Sequence, residues 1–138
     1  KIIDARRNPM DACFSCFKQY FAKGQHFTYD LDDIARYYKD YIRLMDYWKK
    51  LFPNEIFTIN YEDIINKPNE RIADLLEFCN VDFEDNCLNF HQSKRPVKTA
   101  SSEQVRQPMY KTGLDYWKNY ANHLETLIKH FPDGYKST

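Results

Sequence analysis

The opening of the chain constrains its fold more than any other stretch. An apolar pair, Ile2-Ile3, leads through Asp4-Ala5-Arg6-Arg7 into Asn8-Pro9-Met10-Asp11. This is the pattern of a strand that turns directly into a helix. Asn8 is a good side-chain N-cap, and Pro9 suits the first helical position, where its missing N–H costs nothing. Asp11, at the third position, sets a carboxylate against the positive end of the helix. Arg7 is thereby fixed at the carboxyl end of the strand, where open α/β sheets bind ligands. Ser15 lies about 9 Å along the helix from Pro9. An arginine folded along the helix and this hydroxyl can grip one phosphate from two sides. A phosphate-binding enzyme is the first expectation.

Helical periodicity continues downstream. The first helix is expected from Pro9 to Phe21, with Met10, Cys13, Phe14, Phe17 and Phe21 inward and Asp11, Ser15 and Lys18 on the other face. A long helix from Leu31 to Leu51 follows, capped by Asp30. It carries Leu31, Ile34, Tyr38, Tyr41, Ile42, Met45 and Trp48 at the i, i+3, i+4 spacing, and Pro53-Asn54 ends it. Glu55 to Asn60 reads as a buried strand, left by Tyr61-Glu62-Asp63. Asn69 to Cys79 reads as a helix, and a short one is expected near Asp85 to Phe90. Leu114 to Phe131 returns to helix, with Leu114, Trp117, Ala121, Leu124, Leu127, Ile128 and Phe131 inward.

Composition bounds the function classes. The 138 residues are 43% hydrophobic and 17% aromatic, enough for a core and too apolar for a disordered chain. Twenty basic residues balance twenty acidic ones, so no global charge draws the chain to nucleic acid or a membrane surface. No apolar stretch approaches the ~20 residues of a membrane span, and no signal peptide is visible. The expected setting is soluble, reduced and cytoplasmic. The chain begins without an initiator methionine and enters at once on a strand. One or two strands do not make an independent sheet of this class. The expectation is therefore the carboxyl-terminal portion of a larger domain, or a chain that pairs its strands with another copy in a homo-oligomer.

His91 to Gly113 has no clear period. Lys94, Arg95, Lys98, Arg106 and Lys111 stand there against the single acid Glu103, a local balance of +4. A solvated charge run explains the charge alone. A stretch this long without helix or strand is uncommon in a compact domain unless it is functional, and an anionic ligand would explain both its charge and its order.

At this point the sequence resembles a family. Arg7-Asn8-Pro9-x-Asp11-x-x-x-Ser15 after a strand is similar to the 3′-phosphate-binding segment of sulfotransferases that use 3′-phosphoadenosine 5′-phosphosulfate (PAPS). Tyr61-Glu62-Asp63 at a strand end, followed by Pro68 and the helix over Ile72 to Phe78, is similar to the adenine-side segment. Arg95-Pro96-x-x-Thr99-x-Ser101-Ser102-x-Gln104-Val105-x-x-Pro108-x-Tyr110, then Trp117 and Tyr120, looks like the late loop of the protein-tyrosine sulfotransferase-like and bacterial tetratricopeptide-linked branch. The implied fold is α/β, the helix-rich carboxyl-terminal part of a P-loop-like sulfotransferase fold with few parallel strands. Residues 1–138 would form a partial domain.

The resemblance implies roles. Arg7 and Ser15 would hold the 3′-phosphate, Tyr61 would contact the adenine, and Ser102 would be a further phosphate ligand. Arg106 or Lys111 would close over the nucleotide. Two positions depart from the tyrosine-sulfating enzymes: Tyr116 stands where they carry a lysine before the tryptophan, and Gln19 where they carry an arginine. The family holds the 5′-phosphosulfate on a glycine-containing strand-to-helix loop. Gly24, Gly113 and Gly134 do not follow a strand, so that loop and the catalytic base are expected upstream of Lys1. The ligand is then PAPS or 3′,5′-adenosine bisphosphate, with the acceptor hydroxyl or amine unknown and the fragment inactive alone.

Other readings stay open. A helical interaction module would use Arg7 and the basic segment on an acidic partner. Another P-loop-like nucleotide-binding protein would bind adenine nucleotides without regard to a 3′-phosphate. Cys13-x-x-Cys16 has zinc-like spacing, but Cys79 and Cys87 do not complete the pattern and Cys13 falls on the inward stripe; no metal is expected. His26, His91, His123 and His130 match no catalytic motif and are left unassigned.

Overall fold

The computed structural model describes residues 1–21, 23–93, 95–98, 102–109 and 111–132. Strand β1 (Ile2–Arg6) pairs in parallel with β2 (Ile56–Asn60), in a register running from Ile2 opposite Ile56 to Arg6 opposite Asn60. Between them the chain passes through α1 (Pro9–Lys18), a 3₁₀ turn (His26–Tyr29) and α2 (Leu31–Leu51). After β2 come α3 (Tyr61–Asn66) and α4 (Pro68–Cys79). Short 3₁₀ turns at Asp85–Cys87, Phe90–Gln92 and Gln104–Arg106 lead to a longer one at Tyr116–His123 and to α5 (Glu125–His130). This is a helix-rich α/β arrangement on a two-stranded parallel sheet.

The capping logic at the start of α1 operates as the sequence reads. The Asn8 side chain accepts from the Met10 N–H at 2.9 Å, with Pro9 first in the helix and Asp11 in its first turn. Helix α2 spans the expected range, and Asp30 accepts from the N–H groups of Asp32 and Asp33. Its buried positions Ile34 and Ala35 join Met10, Cys13 and Phe14 of α1 and Leu124, Leu127 and Phe131 near the end of the described chain. This cluster is the core.

Two expectations are corrected. Helix α1 stops at Lys18 rather than Phe21: Gln19 turns extended and its N–H closes on the Cys16 carbonyl, leaving Phe17 37% exposed. The single helix expected over Leu114 to Phe131 is broken at Leu124, whose φ of −117° is not helical and whose side chain is buried. Packing of that side chain overrides the propensity of the flanking residues. In β1, Ile2 and Ile3 are about half exposed while Asp4 and Arg6 are buried.

The buried polar pair has an electrostatic reason. Alternation along β1 turns Ile2, Asp4 and Arg6 to one face, toward α2. Arg6 Nε donates to Asp4 at 2.7 Å, and Arg6 Nη2 donates to Asp46 of α2 at 3.5 Å. The Tyr41 hydroxyl also donates to Asp4, as does Thr58 of β2 at 3.2 Å. Burial pushes the Asp4 carboxyl up, but the Tyr41 bond and the Arg6 bond and charge outweigh it and hold the group below its ordinary value. A charge network thus ties both strands to α2. On the opposite face, Phe57 of β2 stacks on Phe78 of α4 with centroids 5.2 Å apart.

Candidate functional site

Both strands end at the same level, because Arg6 and Asn60 are register partners. The next residues, Arg7 and Tyr61, therefore leave the sheet side by side. The Arg7 guanidinium carbon lies 5.0 Å from the centre of the Tyr61 ring, within the range of a cation–π contact. Arg7 is held from several directions. Its carbonyl accepts from the Tyr38 hydroxyl at 2.7 Å, and its Nη2 donates to the Gly113 carbonyl. The N–H of Asn8 donates to Glu62 at 2.8 Å, which pins the turn after β1 to the start of α3. Arg7 Nε is buried and has no hydrogen-bond partner among the described residues. A buried guanidinium N–H without a partner is costly unless a ligand acceptor supplies one.

A polar cavity of about 340 Å3 opens over this junction, lined among others by Arg7, Ser15, Lys18, Tyr61, Gln104 and Tyr116. Its floor is one face of α1: Asp11, Phe14, Ser15 and Lys18 recur at i, i+3, i+4 and i+7. Arg7, Ser15 and Tyr61 are thus brought together at the carboxyl end of the sheet. An adjoining apolar cavity of about 380 Å3 is lined by Tyr61, Ile64, Ile65, Ile72, Phe90 and Val105, together with Gln104, Gln107, Pro108 and Met109. Tyr61 and Gln104 belong to both cavities.

Asp11 closes the roof. Buried at 3% exposure, its carboxylate accepts the N–H of Asp115 at 2.8 Å and that of Trp117 at 3.2 Å. Asp115 adopts the left-handed region with φ 56° between these two bonds. The segment from Gly113 to Trp117 is consequently fastened across α1, with Tyr116 facing Phe14 and Lys18. Sequence reasoning placed Asp11 only as a helix-end charge. Its second role uses backbone donors, and backbone donors have no signature in sequence. Lys18, by contrast, was visible as sharing the Ser15 face.

The remaining candidates stand elsewhere. Arg106 donates to the carbonyls of Ser93 and Arg95, the latter at 2.7 Å, and so braces the basic segment. Ser102 is half-buried and Lys111 exposed, and neither lines the two cavities, although Thr112 and Gly113 line the polar one. Lys94, Thr99, Ser101 and Tyr110 lie outside the described residues.

Other chemistry-bearing groups serve the scaffold. Burial, aided by the nearby Cys16, raises the Cys13 thiol to about 12, so the group is a neutral core thiol at physiological pH. His130 contacts Asp32 at 2.7 Å and Lys39 at 3.0 Å and thereby joins α5 to α2. Among the described residues no helix is long and apolar enough to cross a membrane.

Comparison with known proteins matches the sequence to a family. The profile of the sulfotransferase family matches residues 1–85, from β1 to the start of the 3₁₀ turn after α4. A relative from Aquifex aeolicus (strain VF5), described as an uncharacterized protein, is 37% identical over 140 residues. The match covers 99% of this chain and 18% of the relative, so the chain spans under a fifth of the length of the curated relative it matches. No solved structure gives a significant match.

Proposed function

The chain belongs to the sulfotransferase family, and on that premise we propose that it forms the 3′-phosphate and adenine side of a PAPS site. The whole protein would transfer a sulfuryl group from PAPS to a hydroxyl or amine acceptor and release 3′,5′-adenosine bisphosphate. The late-loop motif favours the protein-tyrosine sulfotransferase-like and tetratricopeptide-linked branch of the family.

One observation carries the reading: a donor-rich cavity and an apolar cavity meet at Tyr61. A nucleotide with a phosphorylated ribose needs these two surroundings next to each other. The donors fit a phosphate. Arg7 offers a permanent charge and an unpartnered, buried Nε, and Ser15 offers a short hydroxyl that leaves the site open. An adenine fits between the Tyr61 ring and the isoleucines of α3 and α4, which would exclude water from its faces. Ser102, Arg106 and Lys111 line neither cavity, so the reading rests on Arg7, Ser15 and Tyr61.

PAPS supplies the activated sulfuryl group, and the residues here do the holding. They fix one end of the donor so that sulfur is aligned for in-line attack, which depends on positioning and on offsetting developing charge. The 5′-phosphosulfate cradle and the acceptor's base would come from parts of the protein outside these 138 residues.

The test is a pair of titrations on the full-length protein, with 3′,5′-adenosine bisphosphate and AMP. The expected result is a preference for the bisphosphate of roughly tenfold or more, consistent with hydrogen bonds to a charged group, and its loss in Arg7→Ala. Equal affinity for the two nucleotides in the unaltered protein would overturn the reading.

A further inference from the structure

Lys18 has surroundings that the proposed function does not explain. It is the last residue of α1, three positions after Ser15 and on the same face, and it lines the polar cavity. Its ammonium stands 4.2 Å from the centre of the Tyr116 ring and 4.9 Å from that of Phe14. The two rings are nearly parallel, with an interplanar angle of 22°. Tyr116 is braced in turn by the contact of its hydroxyl with that of Tyr120 at 3.1 Å. The backbone on either side of Tyr116 is tied to Asp11.

The charge balance of the cavity is one-sided. Asp11 is the carboxylate in its lining, and both of its oxygens are engaged by backbone N–H groups. Ion pairs of the other lysines and arginines are common along the chain, yet among the described residues Lys18 has no carboxylate within ion-pair distance. An aromatic face attracts a cation without neutralising it. Lys18 is therefore held by aromatic rings rather than by an ion pair, and it lines the same cavity as Ser15 and Arg7.

We propose that Lys18 is a third phosphate-binding group of this site, seated on Tyr116, and that it sets the preference for a nucleotide carrying a 3′-phosphate. The inference deepens the proposed function and rests on it. Arg7 reaches the cavity from the strand end, Ser15 from the middle of α1 and Lys18 from its last turn. Three donors on two elements enclose a tetrahedral anion better than two, and a lysine acts there as a compact charge with freely oriented donors. Fastening Tyr116 to Asp11 makes the position of Lys18 depend on the roof of the site.

A lysine in the last turn also suits the negative end of its helix. A charge serving that purpose alone would be indifferent to the nucleotide. The test is calorimetry on the full-length protein with 3′,5′-adenosine bisphosphate and AMP, for the unaltered protein, Lys18→Gln, Lys18→Arg, Tyr116→Leu and Arg7→Ala. The expected result for Lys18→Gln is a loss of roughly tenfold in affinity for the bisphosphate with AMP binding unchanged. Lys18→Arg should restore most of the loss, and Tyr116→Leu should weaken the bisphosphate selectively. If Lys18→Gln binds the bisphosphate normally while Arg7→Ala loses the preference, the role of Lys18 is overturned and the phosphate site stands. An equal loss for both nucleotides in Lys18→Gln also overturns it. If the unaltered protein shows no preference, both readings fall.

Discussion

The guanidinium of Arg7 lies over the ring of Tyr61 because the residues before them, Arg6 and Asn60, are paired across the parallel sheet. The register thus joins a cation and an aromatic ring from separate segments at the carboxyl end of two strands. Shifting it by a single residue would part them. The pair divides the site into a polar side and an apolar side, and the two sides respond differently to mutation.

Tyr61→Leu should weaken AMP and 3′,5′-adenosine bisphosphate by the same factor. Base stacking on an aromatic ring is worth roughly 1–3 kcal/mol, so a loss of about fivefold or more is expected for each. Arg7→Ala should act on the bisphosphate alone. Parallel titrations of both variants check the separation, and a Tyr61→Leu defect confined to the bisphosphate would contradict it.

Asp11→Ala should loosen the Gly113–Trp117 segment. Two N–H groups lose their acceptor, at about 1–3 kcal/mol each if they remain buried, and thermal unfolding should move down by several degrees. Amide exchange at Asp115 and Trp117 should quicken more than elsewhere. Asp11→Asn, which keeps one acceptor oxygen, should fall between. Unchanged exchange at both amides in Asp11→Ala would count against the clasp.

Asp4 sets an acid limit. Its folded-state pKa lies below the ordinary 3.8, so the unfolded chain binds its proton first as pH falls. The stabilisation is complete above about pH 4 and is lost as pH drops through the folded value. Asp4→Asn should flatten the acid limb of stability against pH. At neutral pH it should cost about 3 kcal/mol, because Arg6 stays buried beside it. Urea unfolding from pH 2.5 to 7 reads both effects; an acid limb as steep in the variant would assign the loss to other carboxylates.

The sequence revealed α2 because cap and periodicity coincide there: Asp30 marks its start and Ile34 and Ile42 its buried face. It revealed the Arg7–Ser15 spacing because Asn8 and Pro9 fix where β1 gives way to α1. Burial in β1 is not legible from hydropathy: Ile2 and Ile3 are about half exposed while Asp4 is buried, because its ion pair and hydrogen bonds compensate its removal from water. The end of α1 and the break at Leu124 depend on packing partners far along the chain. The bracing role of Arg106 was hidden for a similar reason. Its acceptors are the carbonyls of Ser93 and Arg95, and a carbonyl carries no residue identity.

The Asp11 clasp spans sequence separations of 104 and 106 residues. Contacts of that kind close late, because loop entropy must be overcome before they form. The polar cavity therefore acquires its roof only after α1, both strands and the region around Tyr116 have found their places. A partly folded chain would display Arg7 and Ser15 on an open groove, without the enclosure that retains a ligand. A nucleotide that binds only the roofed state draws the folding equilibrium toward it by mass action. Occupancy of the site then becomes a gauge of how completely the chain has folded.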